Sequence, residues 1–235
     1  MELCRPPIIT IDGPSGTGKG TVSQLLAADL GWHMLDSGVL YRALALAAKR
    51  HDISLTDEIK LERLARHLAV RFIYPTPANI ANTSLSITLE GVDVTDALRT
   101  EECGEAASIV ASLVRVRHAL LARQRAFCEP PGLVTDGRDM GSVVFKEAEL
   151  KIFLVASAEE RAKRRYNQLL KMGKDVNLDR ILEEMLTRDL RDKNRAISPL
   201  KPADDAVLID TTSLNVQQVL ARIKEEVRRV FKISF

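Results

Sequence analysis

The sequence predicts an α/β fold in which helices cover both faces of a five-stranded parallel sheet. Three observations indicate this fold. Five short apolar segments are rich in β-branched residues and have the length of buried strands. Segments with helical periodicity separate them, and a glycine-rich turn joins the first strand to the first helix. The predicted strands are residues 8–11, 32–35, 133–135, 151–155 and 207–209, and a final helix is predicted over 216–231.

The composition is that of an ordinary globular protein. The chain has 235 residues, of which 46% are hydrophobic and 28% charged, enough for one large domain with an inserted subdomain. A net charge of +2 does not favour nucleic acid as a partner. Cys4, Cys103 and Cys128 match no metal-binding spacing and indicate reduced thiols. Without a signal-peptide pattern or a long apolar run, we expect a cytoplasmic protein that makes no membrane contact. We also expect a monomer.

The first predicted strand leads into a phosphate-binding loop, called the P-loop below. Residues 8–11 are apolar, and helical spacing follows from Val22. The glycines between them allow successive backbone N–H groups to face an anion, and a helix N-terminus favours negative charge. Lys19 adds a charge that can reach outer phosphates. The expected phosphate contacts are Gly13, Pro14, Ser15, Gly16, Thr17, Gly18, Lys19, Gly20 and Thr21.

One position differs from the general P-loop pattern. Gly20 occupies the place of the usual Ser or Thr after Lys19, and the hydroxyl comes one residue later, at Thr21. This shift argues against Thr21 as a direct Mg²⁺ ligand. The order Gly-Lys-Gly-Thr resembles the loop of nucleoside monophosphate kinases.

The second predicted strand ends at Asp36, and a helix containing Tyr41 and Arg42 follows. Ligands of open α/β sheets bind at the carboxyl ends of strands, so Ser37, Tyr41 and Arg42 are candidate substrate contacts. A helix-capping Ser37 and a solvated Arg42 fit the sequence equally well.

Residues 55–100 interrupt the alternation of strands and helices. An antiparallel hairpin or meander here predicts an inserted subdomain. The predicted elements are a helix at 57–67 and strands at 70–74, 84–89 and 92–94. The turn between the first two strands is marked by Pro75, Pro77, Asn79 and Asn82.

Residues 101–128 are predicted to be helical, and one arginine falls on their apolar side. Leu113, Val116, Leu120 and Phe127 form an apolar stripe. Arg117 lies inside this stripe, where a charged group needs a partner. A ligand contact is slightly favoured, and a snorkelling or ion-paired arginine is the alternative.

Asp136, Arg138 and Asp139 follow the third predicted strand within four positions. An acidic residue at this end of a strand can support a Mg²⁺ shell, and an arginine two residues later can meet a second phosphate. This charge density exceeds what a turn requires, so we interpret the segment as functional.

Two helices are predicted after the fourth strand. Ser157 should cap the first, which carries three arginines within 161–165. In the second, Arg188, Asp192 and Arg195 recur on one face. A solvated face with ion pairs is the ordinary explanation. The density of arginine, and the prolines that follow, favour instead a mobile segment that carries arginines to phosphates.

Together these stretches resemble bacterial cytidylate kinases over essentially the whole chain. The most specific motifs are Asp-Gly-Arg-Asp-Met-Gly and Asp-Ser-Gly, and no motif position departs from the family pattern. The matching segments are 9–16, 18–21, 35–38, 41–42, 123–127, 136–141, 188–189, 191–192 and 194–195.

The resemblance implies Mg²⁺-dependent transfer of the γ-phosphoryl group of ATP to CMP or dCMP. The implied architecture is a single kinase domain of P-loop NTPase type, residues 1–235, with a nucleotide-binding insert at about 60–105 and an arginine-rich helical lid at about 160–195. The implied catalytic residues are Lys19, Asp136, Arg138, Arg188 and Arg195.

The same resemblance implies roles for individual substrate contacts. The cytosine would be surrounded by Ser37, Arg117, Asp139 and Arg195, with Ser108 nearby. Tyr41 belongs to the same binding set. Arg42 and Arg138 would hold the acceptor phosphate, and Arg188 and Asp192 would meet the sugar or the transferred group. Asp36, Asp136 or water alone could contact Mg²⁺.

Two other functions fit parts of the sequence. Another small-molecule P-loop kinase would phosphorylate a non-nucleotide acceptor. A P-loop switch or RNA-binding module would use the arginine-rich segment as a basic face. The sequence contains no Asn-Lys-x-Asp guanine motif, and aromatic residues make up only 4%, which leaves few stacking platforms for bases.

Overall fold

The computed structural model describes residues 5–73, 86–233 and 235. The chain forms two compact units. The first unit contains residues 1–37 and 124–235, and the second contains residues 38–123. The predicted turn at Pro75, Pro77, Asn79 and Asn82 lies outside the described residues, as does Cys4, whereas Cys103 and Cys128 carry free thiols.

The strands are β1 (Ile8–Asp12), β2 (His33–Asp36), β3 (Val70–Ile73), β4 (Ser86–Leu89), β5 (Val92–Asp93), β6 (Leu133–Gly137), β7 (Leu150–Val155) and β8 (Val207–Asp210). The helices are α1 (Lys19–Leu30), α2 (Ser37–Arg50), α3 (Glu58–Arg66), α4 (Glu101–Val110), α5 (Val114–Arg125), α6 (Ala158–Lys171), α7 (Leu178–Lys193) and α8 (Val216–Phe231). Short turns of 3₁₀ helix (Ala97–Arg99) and π-helix (Met140–Val144) complete the set. None of these described helices has the length and apolar character needed to cross a membrane.

The first unit is built on the predicted five-stranded parallel sheet, which is confirmed. The strand order is β2-β6-β1-β7-β8, and each neighbouring pair is parallel. The expectation that all five strands are buried is wrong for β8, where Leu208 is 62% exposed. This strand lies at the edge of the sheet, so only one of its sides has a neighbouring strand.

Helices α1 and α8 pack together over one face of this sheet. Ile11 and Ile152 on the strands meet Leu26 of α1 and Ile223 of α8 in one buried cluster. The helical spacing of the apolar residues in these two segments places them on this side. Trp32 closes the cluster by packing edge-to-face on Phe231 of α8, with ring centroids 5.5 Å apart.

The second unit holds most of α2–α5 and the antiparallel sheet β3-β4-β5. The antiparallel strands confirm the sequence prediction. The segment predicted as helical over 101–128 is two helices, since residues 111–113 separate α4 from α5. Phe127 lies beyond the end of α5, so its predicted place in the apolar stripe is wrong. Arg117 is buried, as its place in the stripe predicted.

Helices α6 and α7 form a hairpin in the first unit. Ala162 and Leu169 of α6 pack against Ile181 and Met185 of α7. The predicted cap is confirmed, because the Ser157 hydroxyl accepts the first-turn N–H of Glu160.

Candidate active site

The turn between β1 and α1 has the conformation that the P-loop prediction requires. Gly16 and Gly18 adopt φ values of +80° and +89°, a range that residues other than glycine rarely adopt. Gly13 meets a different constraint, because an added Cβ would lie 2.4 Å from the carbonyl oxygen of Leu154 on β7. Lys19 is the first residue of α1, and its Nζ donates to the Pro14 carbonyl at 3.0 Å. The glycines therefore allow the loop to lie directly against the sheet with its lysine folded over it.

The loop after β8 supports the P-loop from a neighbouring position. The Thr17 hydroxyl donates to the Pro14 carbonyl at 3.1 Å, and the Thr211 hydroxyl lies 3.3 Å from the Thr17 carbonyl. Arg164 of α6 donates to both the hydroxyl and the carbonyl of Thr211. The sequence did not single out Thr211, and its only signal was its place at the carboxyl end of a strand.

Asp12, the last residue of β1, fixes the chain that follows β6. Its two buried carboxylate oxygens accept the backbone N–H groups of Met140 and Gly141, at 2.9 and 2.8 Å. Burial raises the pKa of Asp12 to about 7, and these two hydrogen bonds oppose the rise. Asp139, a predicted substrate contact, is buried immediately before this turn, and its carbonyl accepts the N–H of Val143. Sequence reasoning missed Asp12, although a charged residue at the end of a buried strand is a usable signal.

The register of the sheet brings two predicted acidic residues together. Asp36 of β2 lies opposite Asp136 of β6. Burial raises the pKa of the Asp136 carboxyl well above its usual range, and the Asp36 carboxylate raises it further. Ser37 is buried beside this pair, and an added Cβ on Gly137 would lie 2.5 Å from its hydroxyl. The absence of a side chain at Gly137 therefore leaves the space that the Ser37 hydroxyl occupies.

Asp192 of α7 lies between two predicted arginines, Arg138 after β6 and Arg195 after the end of α7. The predicted place of Arg195 on the face of this helix is wrong, because α7 ends at Lys193. Nε of Arg138 donates to one oxygen of Asp192 at 2.8 Å, and Arg195 donates to the other oxygen. Asp192 is 1% exposed, and Arg188 is also buried. The alternative of a solvated helix face with surface ion pairs is therefore wrong for these residues.

Charge and burial are linked across this part of the first unit. Burial works against the charged form of Arg138, but the attraction and hydrogen bond from Asp192 leave its pKa above the ordinary value. The pKa of Lys19 is lowered by burial and by the nearby Arg138, while Asp136 and Asp36 oppose this change. The P-loop lysine, both acidic strand ends and Arg138 thus belong to one electrostatic cluster.

The remaining predicted substrate contacts belong to the second unit. Tyr41, Ser108 and Arg117 are buried there, and the Arg117 guanidinium lies 5.6 Å from the centre of the Tyr41 ring. Arg117 also donates to the Ala111 carbonyl at 3.2 Å, so its charge is compensated within its own unit. Arg42 donates to the Leu98 carbonyl at 2.7 Å.

This geometry agrees with comparisons of the sequence with known proteins. The family model for cytidylate kinase matches residues 9–229. This chain belongs to the cytidylate kinase family. A cytidylate kinase from Shewanella frigidimarina is 59% identical over 230 residues, covering 98% of this chain and 99% of that protein.

Two further members of the cytidylate kinase family are similarly close. The Shewanella denitrificans protein is 58% identical over 224 residues, covering 95% of this chain and 97% of its own length. The Pseudomonas entomophila protein is 58% identical over 222 residues, covering 94% and 96%. The resemblance predicted from the motifs is confirmed, and the family match favours a nucleotide kinase over the two other functions considered from the sequence.

The cytidylate kinase family implies Mg²⁺ as a companion of ATP, and the described residues fit this ion in part. Asp36 and Asp136 place two carboxylates side by side near Lys19, a donor set that a hard divalent cation prefers. The described residues contain no group of three or more His, Cys, Asp or Glu side chains suited to a metal.

Proposed function

We propose that this member of the cytidylate kinase family transfers the γ-phosphoryl group of ATP to CMP or dCMP, giving ADP and CDP or dCDP. The supporting observation is the single electrostatic cluster of the first unit, in which Lys19 of the P-loop lies close to Arg138 and Asp192. Phosphoryl transfer needs positive charge around the transferred group and two substrates held in line. In this cluster one cation, Lys19, comes from the P-loop, and another, Arg138, comes from the chain after β6.

The P-loop acts on the donor nucleotide. The glycines leave the backbone N–H groups at the start of α1 available to phosphate oxygens, and the helix dipole adds to the attraction. Lys19 can move from the Pro14 carbonyl to the β- and γ-phosphates, where it stabilises developing charge. Bound Mg²⁺ would neutralise charge on the same phosphates, and Asp36 or Asp136 would hold it directly or through water.

The arginines around Asp192 act on the acceptor side. Asp192 accepts hydrogen bonds from both Arg138 and Arg195 and so orients their guanidinium groups. Arg138 would hold the acceptor phosphate, and Arg188 would bridge to the transferred group or the sugar. Closing α6 and α7 over the nucleotides would exclude water and so suppress hydrolysis of ATP. The insert at about 60–105 and the lid at about 160–195 are part of this proposal.

Recognition of cytosine rests on polar groups that uracil would leave unpaired. An acceptor for the exocyclic amine can come from Asp139 or Ser37, and Arg117 can donate to the ring. The contacts assigned by resemblance to Tyr41, Arg42 and Ser108 belong to the same proposal. Location in the cytoplasm, a monomeric state and a role in pyrimidine nucleotide metabolism are proposed with it.

The test is ADP formation from ATP and Mg²⁺ with CMP, dCMP, UMP, AMP, GMP or no acceptor. We expect turnover with CMP and dCMP, weak turnover with UMP and almost none without an acceptor. Equal rates with and without acceptors would instead show a P-loop ATPase and refute the proposal. Phosphorylation of a non-nucleotide alcohol with CMP inert would support the other kinase function.

Two site variants and one control variant connect this assay to the site. Lys19→Met should reduce kcat by about 100-fold or more, because charge on the transferring group loses its main donor-side cation. Lys171→Met removes an exposed lysine from the end of α6 and should leave kcat unchanged. Asp136→Asn should raise the Mg²⁺ concentration needed for half-maximal rate. An unchanged Mg²⁺ requirement would exclude Asp136 from the shell of the ion.

A further inference from the structure

One arginine that is not among the predicted substrate contacts donates a hydrogen bond to the P-loop. Arg161, in the first turn of α6, is 5% exposed. Its Nε donates to the Ala156 carbonyl and its Nη1 to the Ser15 carbonyl of the P-loop, both at 3.1 Å. The side chain therefore ties the end of β7 to the phosphate-binding turn.

The same guanidinium forms a buried ion pair with α7. Nη1 of Arg161 lies 2.6 Å from an oxygen of Asp189, and the two side chains are 6% and 9% exposed. The other Asp189 oxygen, Oδ1, is buried without a hydrogen-bond partner among the described residues. A buried ion pair by itself adds little to stability, because the cost of removing both charges from water offsets their attraction, so we explain this pair by the position it gives to the P-loop.

Packing at Gly16 supports the same connection independently. An added Cβ on Gly16 would lie 2.9 Å from Cβ of Arg161 and 3.0 Å from Cε of Met185 on α7. The P-loop thus rests directly on α6 and α7 at this point. One turn after Asp189, Asp192 holds Arg138. Two acidic residues of one helix face therefore contact Arg161 under the P-loop and Arg138 after β6.

We propose that Arg161 and Asp189 form a positioning pair that sets the P-loop backbone in register with the arginines of α7. This positioning role presupposes the proposed phosphoryl transfer, in which neither Arg161 nor Asp189 contacts a substrate. Arg161 fixes the Ser15 carbonyl, and with it the direction of the N–H groups that follow. Asp189 fixes Arg161 to the same helix turn that carries Arg188. Displacement of either member should misalign the donor phosphates by a fraction of an ångström to about 1 Å, enough for a loss of about 100-fold in rate.

The test compares Asp189→Asn and Arg161→Lys with the wild type in steady-state kinetics. We expect kcat to fall by about 10- to 100-fold and the KM for ATP to rise, with the KM for CMP within about twofold. Glu226→Gln is the control, since it breaks a surface ion pair with Arg229 on α8, outside the lid and the P-loop, and should change no constant by more than about twofold. Variants that melt earlier but keep kcat and the KM for ATP below their melting temperature would show a purely structural pair and overturn the proposal.

A double variant tests whether the two residues act together. The double variant Arg161→Met/Asp189→Leu is compared with Arg161→Met alone and Asp189→Leu alone. If the two residues act as one unit, the double variant should lose no more kcat than the single variant with the larger loss. Losses that multiply would show separate roles and reject the pair. Calorimetric binding of ATP alone separates this inference from the proposed function. A wild type inactive toward CMP would refute that function, yet weaker ATP binding in both single variants would still support the positioning role, and unchanged ATP binding would overturn it.

Discussion

Replacing Asp12 by Asn should change the pH dependence of stability more than stability itself. The rise of its pKa from 3.8 to about 7 corresponds to about 4 kcal/mol, since each pKa unit is worth about 1.4 kcal/mol. Because its pKa is raised, Asp12 holds a proton in the folded protein but not in the unfolded chain between pH 3.8 and about pH 7. Its contribution to the free energy of unfolding is therefore complete below pH 3.8 and is lost as the pH rises to about 7. The Asn variant lacks this slope. Its free energy of unfolding is lower by about 1–3 kcal/mol at every pH, because the amide N–H₂ of Asn faces one of the two backbone N–H donors.

Urea unfolding at pH values from about 4.5 to 8, at constant ionic strength, measures this effect. The stability advantage of the wild type over Asp12→Asn should shrink by about 1.4 kcal/mol per pH unit up to about pH 7 and then level off. Asp210→Asn is the flat control, because hydrogen bonds from Thr212 lower the pKa of the exposed Asp210 below 3.8. Asp210 is then ionised in both the folded and the unfolded protein from about pH 4.5 to 8, so the difference in stability between the wild type and Asp210→Asn should not change over this range. A difference between wild type and Asp12→Asn that stays constant over this range would refute the reasoning and show that the two backbone donors keep Asp12 ionised throughout.

Three further substitutions have defined outcomes. Gly13→Ala should weaken ATP binding by about 100-fold in calorimetry, because its Cβ meets the backbone oxygen of Leu154 at 2.4 Å and the loop must move; wild-type affinity would contradict this. Gly132→Ala should cost about 1–3 kcal/mol in urea unfolding and shift the fluorescence of Trp32, whose indole lies 2.5 Å from the added Cβ; an unchanged spectrum would mean that the ring is placed otherwise. Arg117→Met should reduce the preference for CMP over UMP, as a ratio of kcat/KM, by about 10- to 100-fold; an unchanged ratio would remove Arg117 from cytosine recognition.

Much of the fold was predictable from patterns within short stretches of the sequence. The P-loop was predictable because glycine spacing, a preceding apolar strand and a following helical period all lie within a short stretch of chain. The final helix was predicted with its observed bounds, Val216–Phe231, since its apolar spacing and flanking turn residues are equally local. The errors at β8 and at Phe127 arose where a local pattern does not report sheet edges or a helix end.

The functional interpretation of Arg188, Asp192 and Arg195 also came from sequence, but its physical basis did not. Composition suggested that Arg188, Asp192 and Arg195 exceed what a solvated face needs. Only the structure shows that Asp192 is buried and shared between Arg138 and Arg195. The partners Arg138 and Asp192 are 54 residues apart, and no periodicity links them.

What the sequence by itself determined was the chemistry available: a P-loop with its lysine, acidic strand ends, an excess of arginine and the motifs of the cytidylate kinase family. What the tertiary structure alone decided was which of these groups meet. The strand order β2-β6-β1 sets Asp36 opposite Asp136 and lets Asp12 bind the N–H of Gly141, 129 residues away. The packing of α6 and α7 on the P-loop brings Arg161 to Asp189. The physical reason is that helix and turn preferences act over a few residues, whereas strand order and helix docking depend on burying the apolar faces of the whole chain at once.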